Sequence, residues 1–195
     1  MFKTREGGNH LCEPCLRSNS SFGIARACGV YDNALMTVIH SFKYGERVQL
    51  SNPLSVLLMA AFLKYWQQRP VDLIVPVPLN EKRFRKRGFN QAYLLIKDWA
   101  NLLRMVDFPA EKIAIGRDVL KRIRETLPQT SLGRKERLSN VKKAFALSMP
   151  EAVKDGRVLI VDDVYTTGAT AAECARVLLK GGAREVDILT LARAM

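Results

Sequence analysis

The stretch that decides the fold runs from Arg157 to Thr170: Arg-Val-Leu-Ile-Val-Asp-Asp-Val-Tyr-Thr-Thr-Gly-Ala-Thr. Arg157 to Val161 is a short apolar run rich in β-branched residues and reads as a strand. Asp162 and Asp163 end it, and Val164 to Thr170 reads as a loop. From about Ala171 to Lys180 the apolar residues recur at helical spacing, and Gly181-Gly182 follows where helices commonly end on a left-handed residue. Glu185 to Ala192 is a second strand. Strand, loop, helix and strand in that order make the unit of a parallel sheet, so the expected class is α/β.

Working outward, Val71 to Pro78 is a third strand, with Pro76 and Pro78 at or past its carboxyl end, where a missing N–H is tolerated. Helices are expected from Ala34 to Lys43, carrying Leu35, Val38, Ile39 and Phe42 at helical spacing, and from Leu50 to Gln67, with Pro53 in the first turn. Another is expected from Asn90 to Arg104, where Leu94, Leu95, Trp99, Leu102 and Leu103 form an apolar stripe. Residues 117–130 are polar and basic, and Pro128 breaks any helix there. Ser131 to Ala144 reads as a very basic, weakly amphipathic helix. The first 25 residues are polar and show no period. The expected organisation is an N-terminal arm over residues 1–28 and one α/β domain over 29–195.

At 195 residues and 48% hydrophobic the chain can bury a sizeable core, which excludes disorder for most of it. Its 31 Lys+Arg against 19 Asp+Glu give a formal charge of +12. Such a surplus calls for an anionic partner: nucleic acid, a phosphorylated metabolite or an anionic membrane surface. The segments 82–87 and 117–143 hold 14 of the 31 basic residues, so the charge is concentrated next to strand ends. A solvated face is the competing reading of such runs. The longest uninterrupted apolar stretch, Val56 to Leu63, has 8 residues, against roughly 18 for a membrane-crossing helix. Residues 1–20 show no apolar signal-peptide core. A cytoplasmic protein is therefore expected.

That address argues against structural disulfides among Cys12, Cys15, Cys28 and Cys174. Cys12-Glu-Pro-Cys15 has the spacing at which a turn points two thiolates at one tetrahedral zinc. It supplies half a site. His10 and Cys28 would have to complete it at untypical spacings, and the competing reading is a remnant turn that binds nothing. Cys174 sits among small apolar residues and is expected to be a buried helix residue.

In an open α/β sheet, ligands bind outside the carboxyl ends of the strands. There Asp162 and Asp163 precede Thr166-Thr167-Gly168-Ala169-Thr170. Backbone N–H groups at a helix N-terminus, with threonine hydroxyls, can hold a phosphate, and Gly168 lets the backbone approach closely. The two carboxylates can accept hydrogen bonds from a diol, directly or through Mg²⁺. A ribose 5-phosphate offers both a diol and a phosphate. A helix cap plus a surface carboxylate is the structural alternative, but a bare cap would not require the Thr-rich loop as well. Neither a GxxxxGK[ST] nor a GxGxxG motif is present.

Val158 to Thr170 resembles the 13-residue signature with which type I phosphoribosyltransferases bind 5-phosphoribosyl 1-pyrophosphate (PRPP). The resemblance implies that fold, a parallel-type sheet flanked by helices, with a short N-terminal appendage. It also implies that Asp162 and Asp163 contact the ribose hydroxyls and are the catalytic acidic pair, and that Val161, Thr166, Thr167, Gly168, Ala169 and Thr170 complete the PRPP site. Tyr31 to Tyr44, Ile74 to Leu79, Arg87-Gly-Phe-Asn-Gln91 and the spaced Thr126, Gln129, Leu132, Arg137 and Phe145 are similar to the ComF/GntX family. That family joins a phosphoribosyltransferase-like domain to an N-terminal zinc-ribbon module, and some members serve DNA uptake during natural transformation. Family members usually carry further CxxC pairs upstream, of which Cys12 and Cys15 would be the last, so residues 1–28 resemble a truncated ribbon. The resemblance further implies Mg²⁺ with PRPP as cofactor and donor, and competence proteins or a second copy of the chain as partners.

For the basic segments two functions are open. By position in that family, Pro78, Leu79 and Arg83 to Gly88 would lie near the pyrophosphate, and residues 117–137 would form a hood. Arg87, Arg124 and Arg137 would then supply positive charge to the leaving group. Alternatively, Phe84 and Phe89 interleaved with Lys82, Arg83, Arg85, Lys86 and Arg87 suit single-stranded DNA, by stacking and phosphate neutralisation. Phe89 begins a helix and would equally serve as core.

Overall fold

A computed structural model describes residues 21–194 apart from 46, 107, 109–112 and 127–133. Five strands form a parallel sheet in the order β1 (Ala25–Val30), β7 (Glu185–Arg193), β6 (Arg157–Tyr165), β2 (Leu73–Pro76) and β3 (Ala114–Ile115). Strands β6 and β7 are buried along most of their length, because alternate residues enter the cores on opposite faces of the sheet. Leu159, Val161, Leu189 and Leu191 join the core on one face, while Val158, Ile160, Val186 and Ile188 join the core on the other.

The first face is covered by α1 (Asn33–Tyr44), α2 (Ser51–Trp66) and two short helices, α4 (Gln91–Leu94) and α5 (Trp99–Met105). Phe42, Phe62, Trp66 and Trp99 fill it, with the Phe62 and Trp99 rings 5.3 Å apart. The second face is covered by α7 (Ala169–Lys180), through Cys174, Ala175 and Leu178, and by a small antiparallel hairpin, β4 (Leu120–Arg122) with β5 (Phe145–Leu147). Helix α6 (Arg134–Val141) lies in the chain between those two strands. Helix α3 (Glu81–Arg87) follows β2.

Several sequence expectations shift. Strand β1 has no clear apolar alternation. It is recruited by the edge of β7, and it straddles the expected boundary at residue 28. The basic run after β2, given no helix or strand from sequence, is a helix. Asn80 caps its start by accepting the Lys82 N–H (2.9 Å), and left-handed Gly88 (φ 76°) ends it. The helix expected over 90–104 is two, because Asn90 caps the first at Tyr93 while the chain turns so that Trp99 Nε1 reaches Ser55 Oγ (3.1 Å). The helix expected to end at Ala144 stops at Val141. Lys143 adopts φ 57° and donates its N–H to the buried Glu173 of α7 (2.7 Å), which turns the chain into β5.

The helix α7 terminus behaves as expected, with Gly182 (φ 98°) as the left-handed residue. Its N–H bonds Leu179 O and that of Ala183 bonds Leu178 O, a Schellman closure. At the amino end of the sheet, buried Asp187 accepts from Trp66 Nε1 (2.9 Å), Arg69 Nε (2.6 Å) and Ile24 N (2.9 Å), tying β7 to α2 and to the start of β1.

Candidate functional site

Strand β6 does not end at the acidic pair. It stays paired to β7 through Tyr165, with Asp162 opposite Thr190 and Val164 opposite Ala192. Alternation along the strand therefore sends the two carboxylates to opposite faces. Asp163 turns toward α1, where its Oδ1 lies 2.6 Å from Lys43 Nζ. Asp162 turns toward the α7 side, where it influences Cys174 and Arg122, and its Oδ1 accepts the Asp163 N–H (2.9 Å).

The electrostatics follow from that placement. Burial first, and the Asp163 charge second, push the Asp162 carboxyl up to about 7, against the pull of Lys43 and of the Asp163 N–H. Burial works against charge on Lys43. Attraction and hydrogen bonding to Asp163 outweigh it, so the ammonium stands above its usual range.

Around the pair lies a cleft of about 240 Å³ at the carboxyl end of the sheet. It brings together Asp162, Asp163, Thr166, Gly168, Ala169 and Thr170 with Pro78, Leu79, Arg83 and Arg87, all expected from sequence. Gly168 has φ 76°, and a Cβ there would stand 2.3 Å from the Tyr165 hydroxyl, so this position demands glycine. It caps α7, whose first residues, Ala169 and Thr170, line the cleft.

Other expected residues are placed elsewhere. Val161 is fully buried, and its carbonyl takes the Val77 N–H (2.9 Å). Thr167 turns its Oγ1 to the Ala169 N–H at 3.5 Å and is not part of the cleft wall. Gly88 is the cap of α3. Arg124 donates to Asn140 O (2.7 Å) and Lys142 O (2.8 Å), closing the carboxyl end of α6, and neither it nor Arg137 lines the cleft. Phe89 stacks on Phe42 at 5.8 Å as part of the core, whereas Phe84 is 39% exposed.

The cleft residues not assigned to the site from sequence include Lys43, Arg122, Asn90 and Gln91. Lys43 follows the buried Ile39 by four residues and so shares its helix face, which is a legible signal. Arg122 lies two residues after buried Leu120, hence on the same side of β4, but that strand was not recognised. Its guanidinium sits 5.4 Å from the Phe145 ring centre and hydrogen-bonds Thr126 Oγ1. Burial, and then Arg83, lower its pKa. Asn90 Nδ2 donates to Val77 O (3.1 Å), which fixes the start of α4 against the end of β2.

Cys12, Cys15 and His10 lie outside the described residues. Cys28 stands in β1 with Sγ 3.6 Å from Leu57 O, and burial pushes its thiol up to about 12, which opposes the thiolate that zinc requires. Among the described residues no group of three or more His, Cys, Asp or Glu side chains could hold a metal. A magnesium ion needs a smaller protein donor set, one or two carboxylates plus substrate phosphates and water, for which Asp162 and Asp163 are the candidates. Among the described residues no helix is long and apolar enough to cross a membrane.

A parallel sheet whose central strand carries paired carboxylates into a glycine-capped helix N-terminus defines a phosphoribosyltransferase-type domain, and residues 105–195 match the phosphoribosyl transferase domain. The chain is 34% identical over 187 residues to Competence protein F of Haemophilus influenzae, spanning 94% of this chain and 78% of that protein. It is 34% identical over 191 residues to DNA utilization protein YhgH of Escherichia coli K12, spanning 96% and 80%. To Competence protein ComFC of Bacillus subtilis it is 26% identical over 212 residues, spanning 98% and 81%. The chain belongs to the ComF family of phosphoribosyltransferase-like proteins.

Proposed function

We propose that the cleft binds PRPP with Mg²⁺ and transfers its phosphoribosyl group to an acceptor. One observation carries the reading: a single cleft holds the Asp162–Asp163 pair, the glycine-capped N-terminus of α7, and Arg83, Arg87 and Arg122. The α7 end takes the 5-phosphate, through Thr166, Thr170 and backbone N–H groups. The carboxylates accept the ribose hydroxyls. Bound Mg²⁺ supplies charge neutralisation to the pyrophosphate. The three arginines stabilise the same developing negative charge as the C1–oxygen bond breaks. The acceptor atom then bonds to C1 and releases its proton, and pyrophosphate departs.

Calorimetric titration of PRPP with Mg²⁺ into wild type and Asp162→Asn/Asp163→Asn tests this. Binding by the wild type that falls at least tenfold in the double variant is expected. A well-folded wild type that binds no PRPP would overturn it.

A second reading rests on α3, whose exposed Phe84 stands between Arg83 and Arg85, and on relatives named for competence and DNA utilization. Here the protein is a non-catalytic accessory to uptake of single-stranded DNA, with α3 stacking on a base and neutralising phosphates. It predicts oligonucleotide binding that weakens steeply with salt. Binding indifferent to Phe84→Ala would sink it.

A further inference from the structure

Gln91 opens α4 on the cleft wall, is 1% exposed, and among the described residues has a hydrogen-bond partner for neither Nε2 nor Oε1. Arg122 Nε is likewise buried and unpaired, on the wall of the same cleft. Buried polar atoms in folded proteins are nearly always paired, because leaving them bare is costly. The neighbouring amide shows the contrast. Asn90 Nδ2 donates to Val77 O and its Oδ1 accepts the Tyr93 N–H, so both ends of that amide are engaged in holding α4 in place. Gln91 is positioned by the same helix start and committed to nothing.

The chemistry of the orphaned pair narrows the occupant. A carboxamide offers a donor and an acceptor side by side in one plane. Pyrophosphate carries acceptors alone and would leave Oε1 bare. A metal ion would satisfy Oε1 alone. The ribose hydroxyls are claimed by the Asp162–Asp163 pair. A group with a carbonyl beside an N–H on one edge satisfies both atoms at once.

We propose that Gln91 is the specificity-determining residue for the acceptor, reading a neutral cis-amide edge, as in a lactam ring or a planar carboxamide, and rejecting carboxylates and amidines. The inference rests on the reading of this cleft as the PRPP site. Discrimination of this kind is strong because a mismatched edge leaves the buried amide unpaired again.

The test uses PRPP–Mg²⁺-loaded wild type, Gln91→Leu and Gln91→Glu, titrated with uracil and nicotinamide as cis-amide probes and with benzoate and benzamidine as controls. Wild type should bind at least one amide probe and neither control. Both variants should lose amide affinity at least tenfold more than they lose PRPP affinity. Gln91→Glu should gain benzamidine, whose two N–H groups match a carboxylate. Unligated Gln91→Leu should melt above wild type, since it removes the orphaned atoms. If Gln91→Leu fails to fold, Gln91→Glu carries the same comparison. PRPP binding without any amide-probe binding, or amide affinity unchanged in the folded variants, overturns the inference. A parallel loss of PRPP and probe affinity also overturns it. A wild type that binds no PRPP overturns the proposed function instead.

Discussion

Lys43 Nζ lies 2.6 Å from Asp163 Oδ1, and the two side chains are 18% and 12% exposed, so helix α1 inserts its charge against the acidic pair of the central strand. The lysine offsets one of two adjacent carboxylates. Removing it leaves a buried charge without a partner, which typically costs about 3–5 kcal/mol. Lys43→Met should therefore lower unfolding free energy by about 3 kcal/mol in urea melts, and Asp163→Asn in the same background should recover part of that loss. Full additivity of the two substitutions would show that the pair is not coupled.

Asp162 gives the protein a pH signature. Its folded pKa, about 7, lies above its ordinary 3.8, so the folded state holds a proton that the unfolded chain releases. That contribution to stability is fully present below about pH 4 and disappears as pH rises through about 7. Asp162→Asn should accordingly be more stable than wild type at pH 8, by on the order of 2–4 kcal/mol, and the difference should close toward pH 4. Under the proposed function the ionised form is the one that accepts the ribose hydroxyls, so wild-type PRPP affinity should rise about tenfold between pH 6 and 8. A flat stability difference across that range would contradict both.

Gly168→Ala places a Cβ where φ is 76° and the Tyr165 hydroxyl already stands. The left-handed backbone alone costs roughly 1–2 kcal/mol for an L-residue. We expect a stability loss of that size and at least tenfold weaker PRPP binding, both by calorimetry. Adding Tyr165→Ala should relieve only the side-chain contact, leaving the backbone cost.

Arg122 and Arg124, two residues apart, should separate cleanly. Arg122 is on the cleft wall, and Arg122→Met should weaken pyrophosphate binding about tenfold. Arg124 bonds two carbonyls at the end of α6, so Arg124→Met should cost about 1–2 kcal/mol of stability. Equal effects of both substitutions on pyrophosphate affinity would reject this division.

The unit from β6 through α7 to β7 was legible because its strands are buried on both faces and its helix begins and ends on glycines. Strands β1, β3, β4 and β5 were not, since they span two to six residues and owe their form to neighbours rather than to a repeating pattern. The cleft divides the same way. The acidic pair and phosphate cradle are contiguous in sequence, whereas Lys43, Gln91 and Arg122 arrive from three distant segments and become neighbours only after folding. Arg124 illustrates the converse, a basic residue near the cleft in sequence that is spent on a helix terminus.

Because β6 remains hydrogen-bonded to β7 through Tyr165, the carboxylates are carried on sheet rather than on loop. Their orientation is set when the domain folds, so a ligand's hydroxyl groups meet acceptors that lose little further freedom. The ordering cost of association must then fall on the other walls of the cleft. Amides of Asp162 to Tyr165 should consequently exchange with solvent as slowly as those of the sheet core, with or without ligand.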